Sequence, residues 1–307
     1  MTMPEPIKVL YVIGKGRSGS TLVDMLLGEM DGWCSTGELW RVWSRGMVDG
    51  EPCGCGAPIP DCSIWKPVLE AARGSATPQE IEEWRLRALR WHTAHRIWNA
   101  DESPKDWPEL TQWVEVFAKL YSELAQQTGA RVIVDSSKWP LHPGLFGLIP
   151  GIEPYALQLV RDPRAVAYSW QRKKAYLGSE KQRWMKRFPA WHSGLSWSAR
   201  QMMCEAVKGR LGDRAMTLRY ESLMKNPAEA LAEVSGLMGD PHPSLGFLDG
   251  KMARLGTHHT VGGNPNRFER GPVELREDEK WKAEGSSIDR LLLLALTGPF
   301  RQRYGYK

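Results

Sequence analysis

Gly14-Lys15-Gly16-Arg17-Ser18-Gly19-Ser20-Thr21 is the first stretch of the chain whose residue types and spacing could do chemistry. The spacing G-x-x-x-x-G-x-[ST] suits a phosphate cradle, in which glycines let backbone N–H groups converge on an anion at the start of a helix. Holding a nucleoside triphosphate there would require a lysine just before the final Ser/Thr, to reach the outer phosphates. Ser20 occupies that place, and no Mg²⁺-binding Asp clearly ends a second strand. The amide nest is kept, the lysine is lost, and Lys15 and Arg17 restore positive charge within the loop. The ligand expected is an anion other than a Mg²⁺-bound triphosphate.

A second constellation is Leu159-Val160-Arg161-Asp162-Pro163-Arg164, continuing to Ser169-Trp170. Arg161 follows an apolar run, and Ser169 comes eight residues later, about two turns up a helix. A guanidinium can take a phosphate bidentately while a hydroxyl donates one further bond, and the same two residues also read as a surface arginine and a helix serine with no ligand.

The elements that must position these residues can be read from apolar patterning. Ile7–Ile13 is a short β-branched run ending at Gly14, which reads as a buried parallel strand, and Leu22–Leu27 fits a helix. Further strands are expected at Arg131–Val134, Tyr155–Val160 and Ala215–Arg219, with helical patterns between them. The expected fold is α/β, a P-loop-type three-layer arrangement with a mainly parallel central sheet. All 307 residues read as a single domain, with a Cys-containing helical insertion or lid at about 50–108 and a long loop at about 255–272. There are 41 Lys+Arg against 36 Asp+Glu, and a net charge of +5 over this length is not the footprint of a nucleic-acid binder. No apolar run approaches the ~18–20 residues of a membrane span, and the N-terminal residues lack a signal-peptide pattern, so a cytoplasmic location is expected.

Arg17-Ser18-Gly19-Ser20-Thr21 resembles the 5′-phosphosulfate loop of sulfotransferases that use 3′-phosphoadenosine 5′-phosphosulfate (PAPS), in the Arg-containing form of tyrosylprotein and many bacterial sulfotransferases. The Arg161 and Ser169 pair is similar to that family's 3′-phosphate site. The likeness extends to Thr36-Gly37-Glu38-Leu39, Val134-Asp135-Ser136-Ser137-Lys138, Arg219-Tyr220-Glu221-Ser222-Leu223 and the late loop Gly263-Asn264-Pro265-Asn266-Arg267-Phe268. It is weak over Cys53–Ala130, where acceptor determinants are expected. The resemblance implies PAPS as donor and adenosine 3′,5′-bisphosphate (PAP) as product, with no metal required. The acceptor would be a hydroxyl of a small molecule, glycan or lipid-like compound. A nucleotide kinase or NTPase with a degenerate loop, or a non-catalytic PAP-binding protein, are the alternatives.

Sulfonate transfer depends on positioning and on stabilising charge. Arg17, the amides of Ser18–Thr21 and Lys138, just past a strand end, are the expected donors to the moving group, with Lys15, Gly16 and Gly19 completing the cradle. The resemblance makes Glu38 the expected base, although neighbouring cations would depress its pKa unless burial offsets them. His258 and His259 are the alternative bases, and Asn264, Arg267 and Arg270 are candidates for covering the nucleotide and its 3′-phosphate.

Cys53, Cys55 and Cys62 form C-x-C-x₆-C, which lacks the paired halves of a zinc ribbon. Cys34 could join them only if the fold brought it near, and structural zinc, a disulfide or free thiols all remain open. Cys204 reads as core. Trp84, Trp91 and Trp98 recur every seven residues and would share a face of one helix, packed on the core or lining an acceptor site. His92 and His95 read as surface residues, and the basic stretch Lys181–Arg187 as a solvated helix face.

Overall fold

Ile7–Gly14 (β1) is apolar on both faces and lies at the centre of five parallel strands. Val9, Tyr11 and Ile13 point into one apolar layer, Leu10 and Val12 into the other. This alternation forces helices onto both sides of the sheet. The computed structural model describes residues 5–99, 106–173, 184 and 186–307.

In chain order β1 leads to Ser20–Gly28 (α1), Trp33–Ser35 (β2), Trp65–Arg73 (α2), Pro78–Ala88 (α3), Ala94–Asn99 (α4), Pro108–Thr128 (α5) and Val132–Lys138 (β3). Then come Ile152–Val160 (β4), Pro163–Gln171 (α6), Ala190–Leu211 (α7), Ala215–Arg219 (β5), Tyr220–Lys225 (α8) and Pro227–Leu237 (α9). A small antiparallel sheet follows, Leu248–Asp249 (β6), Met252–Leu255 (β7) and Gly271–Glu274 (β8), and then Lys280–Glu284 (α10) and Ser287–Arg303 (α11). The main sheet has the order β2-β3-β1-β4-β5 with every pairing parallel. This is the expected three-layer α/β fold. Leu26 and Leu27 of α1 and Leu231 and Val234 of α9 cover one face, while Val68 of α2, Ile81 of α3 and Phe117 of α5 cover the other. Cys53, Ile59, Trp65 and Trp107, all within 50–108, belong to the same apolar cluster as Tyr11. No helix among the described residues is long and apolar enough to cross a membrane.

Four departures from the sequence expectations have physical causes. First, β3 continues past Val134 through polar residues, because Asp135 is held inside the protein by hydrogen bonds from Tyr121 Oη (2.9 Å) and the Ser137 amide (2.9 Å). Second, the Trp84–Trp98 segment is not one helix. Thr93 Oγ1 donates to Ala88 O (2.7 Å) and accepts from the Arg90 amide (3.0 Å), ending α3 and starting a new turn, yet Trp84 and Trp98 both pack against the apolar cluster that holds Tyr11. Third, the expected loop at 255–272 is shorter, since Leu255 pairs with Gly271 and Arg254 with Pro272. Pro272 is tolerated there because β8 lies at the edge of its sheet. Fourth, Trp184, Lys186 and Arg187 are not helical, and the rest of the basic stretch, 181–183 and 185, lies outside the described residues. Cys204 is fully buried, and His92 and His95 are exposed, as expected.

Candidate active site

The glycine loop runs from the end of β1 into α1. Gly14 has φ 145°, and a methyl group there would lie 2.5 Å from Leu159 O of β4. Gly19 has φ 90°, and a methyl group there would lie 2.5 Å from the Tyr220 ring. Gly19 precedes α1 without a side chain to cap it, so the first-turn amides border the loop. Arg17 takes the left-handed conformation, φ 74°, which a non-glycine residue adopts only at a cost. Its guanidinium lies 5.0 Å from the centre of the Trp170 ring, and its Nη1 donates to Asn264 Oδ1 at 2.5 Å. Ser18 Oγ is buried with no hydrogen-bond partner among the described residues.

A cavity of about 560 Å³ opens beside this loop, lined by Arg17, Gly19, Thr21, Arg161, Ser169 and Tyr220 among others. Arg161 leaves the end of β4. Its Nη1 donates to Arg17 O (3.2 Å), and its guanidinium sits 4.6 Å from the Tyr220 ring centre. Asp162 caps α6 by accepting from the Arg164 amide (2.8 Å), and Pro163 opens the helix, which brings Ser169 to the cavity wall on its second turn. Glu221 fastens this corner, accepting from the Asp162 amide (2.9 Å) and from Tyr306 Oη (2.6 Å).

A second cavity, about 420 Å³, shares Arg17, Thr21 and Asn264 with the first and is otherwise lined by Gly16, Ser20, Glu38, Arg41, Arg45, Lys138, Trp170 and Lys186 among others. Glu38 is gripped from two sides, by Lys138 Nζ on Oε1 (2.7 Å) and by Arg41 Nε on Oε2 (3.0 Å). Burial pushes its pKa up, but Lys138, Arg41 and Arg45 outweigh burial and hold it at about 2. Glu38 is positioned through its backbone, its amide donating to Val261 O (2.7 Å) in a short parallel bridge between Gly37 and Val261. Asp24 of α1 accepts from the Gly37 amide (3.2 Å), and burial pushes its carboxyl up to about 8. Lys138 ends β3 at φ 65°, and this left-handed conformation sets the direction of its side chain.

The structure therefore brings Gly16, Arg17, Gly19, Ser20, Thr21, Glu38, Lys138, Arg161, Ser169 and Asn264 around two adjoining cavities. Other expected residues lie elsewhere. Lys15 Nζ donates to Ser196 Oγ on α7 (2.7 Å), and burial, aided by Arg200, lowers its pKa to about 8. Arg267 is buried and donates to Pro52 O (3.0 Å), and Arg270 donates to Cys55 O (2.8 Å), so both tie the late loop to the cysteine segment and neither lines either of these two cavities. His258 Nε2 lies 2.8 Å from Glu29 Oε1 and His259 faces the cysteines, so neither histidine reaches Glu38's cavity. Cys34 pairs in β2 with Ile133, and His259 is the residue that stands beside Cys53, Cys55 and Cys62. Sequence reasoning missed Arg41 and Arg45, and it placed Tyr220 in the Arg219–Leu223 motif without giving it a place beside the glycine loop. Arg41 sits three residues after Glu38, just before a π-helical turn, Val42–Val48, and Arg45 sits seven residues after Glu38, inside that turn, whose backbone no periodicity reveals.

A glycine loop at the end of a central parallel strand stands beside an Arg–Ser pair at the end of its neighbour, in a three-layer α/β fold. The chain belongs to the sulfotransferase family, whose model matches residues 10–243. Among solved structures, the sulfotransferase domain from the curacin biosynthetic pathway aligns with 17% identity and a TM-score of 0.55, covering 100% of this chain and 99% of that one. A sulfotransferase domain from the Synechococcus PCC 7002 olefin synthase aligns with 17% identity and a TM-score of 0.49, covering 98% and 96%. A comparison with curated proteins finds no match.

Proposed function

We propose that the protein transfers a sulfonate from PAPS to a hydroxyl of a small-molecule, glycan or lipid-like acceptor. The observation carrying this reading is the junction of two cavities at Arg17, Thr21 and Asn264, one holding Arg161 and Ser169, the other Glu38 and Lys138. The residues fit a donor with anionic groups at two ends. An uncapped helix start and the orphaned Ser18 Oγ border the loop, and Arg161 and Ser169 offer guanidinium and hydroxyl donors beyond it. When bound, PAPS supplies the sulfonate and the bisphosphate leaving group.

The chain's own residues then have separable tasks. Arg161 and Ser169 bind the 3′-phosphate end and fix the nucleotide's register. Arg17, Ser18 and the amides through Thr21 donate to the 5′ end, while Lys138 supplies a cation from the acceptor side. Glu38 orients the acceptor hydroxyl and takes its proton. With Lys138 and Arg41 both on its oxygens it is a weak base. Drawing Lys138 toward a second anion would loosen that hold and raise the carboxylate's proton affinity. Asn264, bonded to Arg17 through its side chain and to Thr21 through its amide (3.2 Å), closes the junction against water.

The test is incubation with PAPS and a panel of phenols, sugars and lipid alcohols, with mass spectrometry for the added sulfonate and for PAP. Acceptor-dependent PAP release with a sulfonated product supports the reading. Stabilisation by PAP without transfer to any acceptor favours the non-catalytic alternative, and Mg²⁺-dependent turnover of ATP favours the kinase.

A further inference from the structure

Outside the two cavities, Cys53, Cys55, Cys62 and His259 place three sulfurs and one imidazole nitrogen within 4.8 Å of one another. The geometry points to a structural zinc site built from these four residues and distinct from the transfer chemistry. Zn–S bonds of about 2.3 Å and Zn–N bonds of about 2.0–2.1 Å in a tetrahedron put ligand atoms roughly 3.5–3.8 Å apart. Here Cys53 and Cys62 sulfurs are 3.6 Å apart, Cys55 and Cys62 3.9 Å, and His259 Nδ1 lies 3.7 Å from Cys53 Sγ and 3.1 Å from Cys62 Sγ. These are four of the six edges of a ligand tetrahedron, and the other two pairs also lie within 4.8 Å. They are far from the ~2.05 Å of a disulfide, and all five cysteines are free. Three thiolates and an imidazole, with no carboxylate among them, form a soft donor set that suits zinc and leaves no open position for substrate.

The surrounding backbone holds the ligands in place. Cys53 and Cys55 sit on a knuckle closed by the Cys53 amide on Ala57 O (2.8 Å), the Gly56 amide on Cys53 O (2.8 Å) and a bridge between Pro52 and Pro58. Gly54 is required between them, because a methyl group there would stand 2.6 Å from His258 O and 2.5 Å from Thr260 Oγ1. On the other side, Trp65 Nε1 donates to His259 O (2.7 Å) and the Gly54 amide to Thr260 O (2.9 Å), fixing the histidine's backbone against the knuckle. Binding Zn²⁺ displaces three thiol protons to solvent and leaves a centre of net charge −1. Arg267 and Arg270, which reach the carbonyls of Pro52 and Cys55, bring the compensating positive charge. The centre clamps the late loop two residues before Val261, whose carbonyl accepts from the Glu38 amide.

The experiment is elemental analysis of the untagged full chain purified from zinc-supplemented growth, with cobalt substitution and intact mass under non-reducing conditions. One zinc per chain, intense visible bands of tetrahedral cobalt–thiolate coordination, and loss of the metal in C55A are expected. A chain without zinc that also fails to develop those bands overturns the site. So does a mass lower by two hydrogens, the mark of a disulfide, or an equivalent of iron in place of zinc. Chelation should also raise amide hydrogen exchange across residues 256–264 without affecting β1. Unchanged exchange there would overturn the clamp.

Discussion

Glu38 carries the sharpest predictions at the scale of single residues, because its two carboxylate oxygens are held by different cations. E38Q should abolish transfer while leaving PAP affinity within about twofold, since Glu38 lines only the second cavity. Calorimetry and product assay on the same preparation check this. R161A should weaken PAP binding by about 10- to 100-fold, the equivalent of losing charge-assisted bonds of about 1.5–3 kcal/mol. Asp24 governs a pH effect. Its folded carboxyl is pushed by burial to about 8 from an ordinary 3.8, so the folded protein holds that proton where the unfolded chain has released it. Its stabilising contribution is complete below about pH 4 and falls away as pH rises toward about 8. Urea unfolding of D24N should lack that decline.

At the scale of elements, the glycine loop works because Tyr220 of α8 packs against Gly19. G19A should cost at least about 1–3 kcal/mol of stability, from the left-handed conformation and from displacement of the ring. The same variant should lose PAP affinity, since Tyr220 also lies beneath Arg161. A lower melting temperature with unchanged affinity would count against this coupling. The strands, and the glycine loop and Arg161–Ser169 pair that line the cavities, were legible in the sequence because each combines a local apolar run with a fixed spacing, as in Ile7–Gly14 or Arg161 to Ser169. The continuation of β3 through Asp135 was not, because the buried carboxylate is satisfied by a tyrosine on the preceding helix, Tyr121 of α5, a pairing that only the packing of α5 on β3 creates. Nor was the role of Arg267, since a charged residue in a loop reads the same whether it faces a ligand or a buried carbonyl. His259 became a partner of the cysteines only through folding, about 200 residues after them.

At the scale of the whole molecule, the two cavities lie where β1, β3 and β4 end, the position at which open parallel sheets bind ligands. PAP at about 100 times its dissociation constant should stabilise the chain by about 2.7 kcal/mol, and ATP with Mg²⁺ should not. Thermal denaturation with each ligand distinguishes them. The hairpin loop between β7 and β8 touches the cysteine knuckle through His259, the backbone of Glu38 through Val261 and the cavity junction through Asn264. One peptide-bond cleavage between His259 and Asn264 would therefore leave the five-stranded sheet whole yet uncouple three stations at once. A protease nick in that span would yield a folded, silent molecule, and the rate of nicking, slowed by an occupied site, could serve as a footprint of ligand capture.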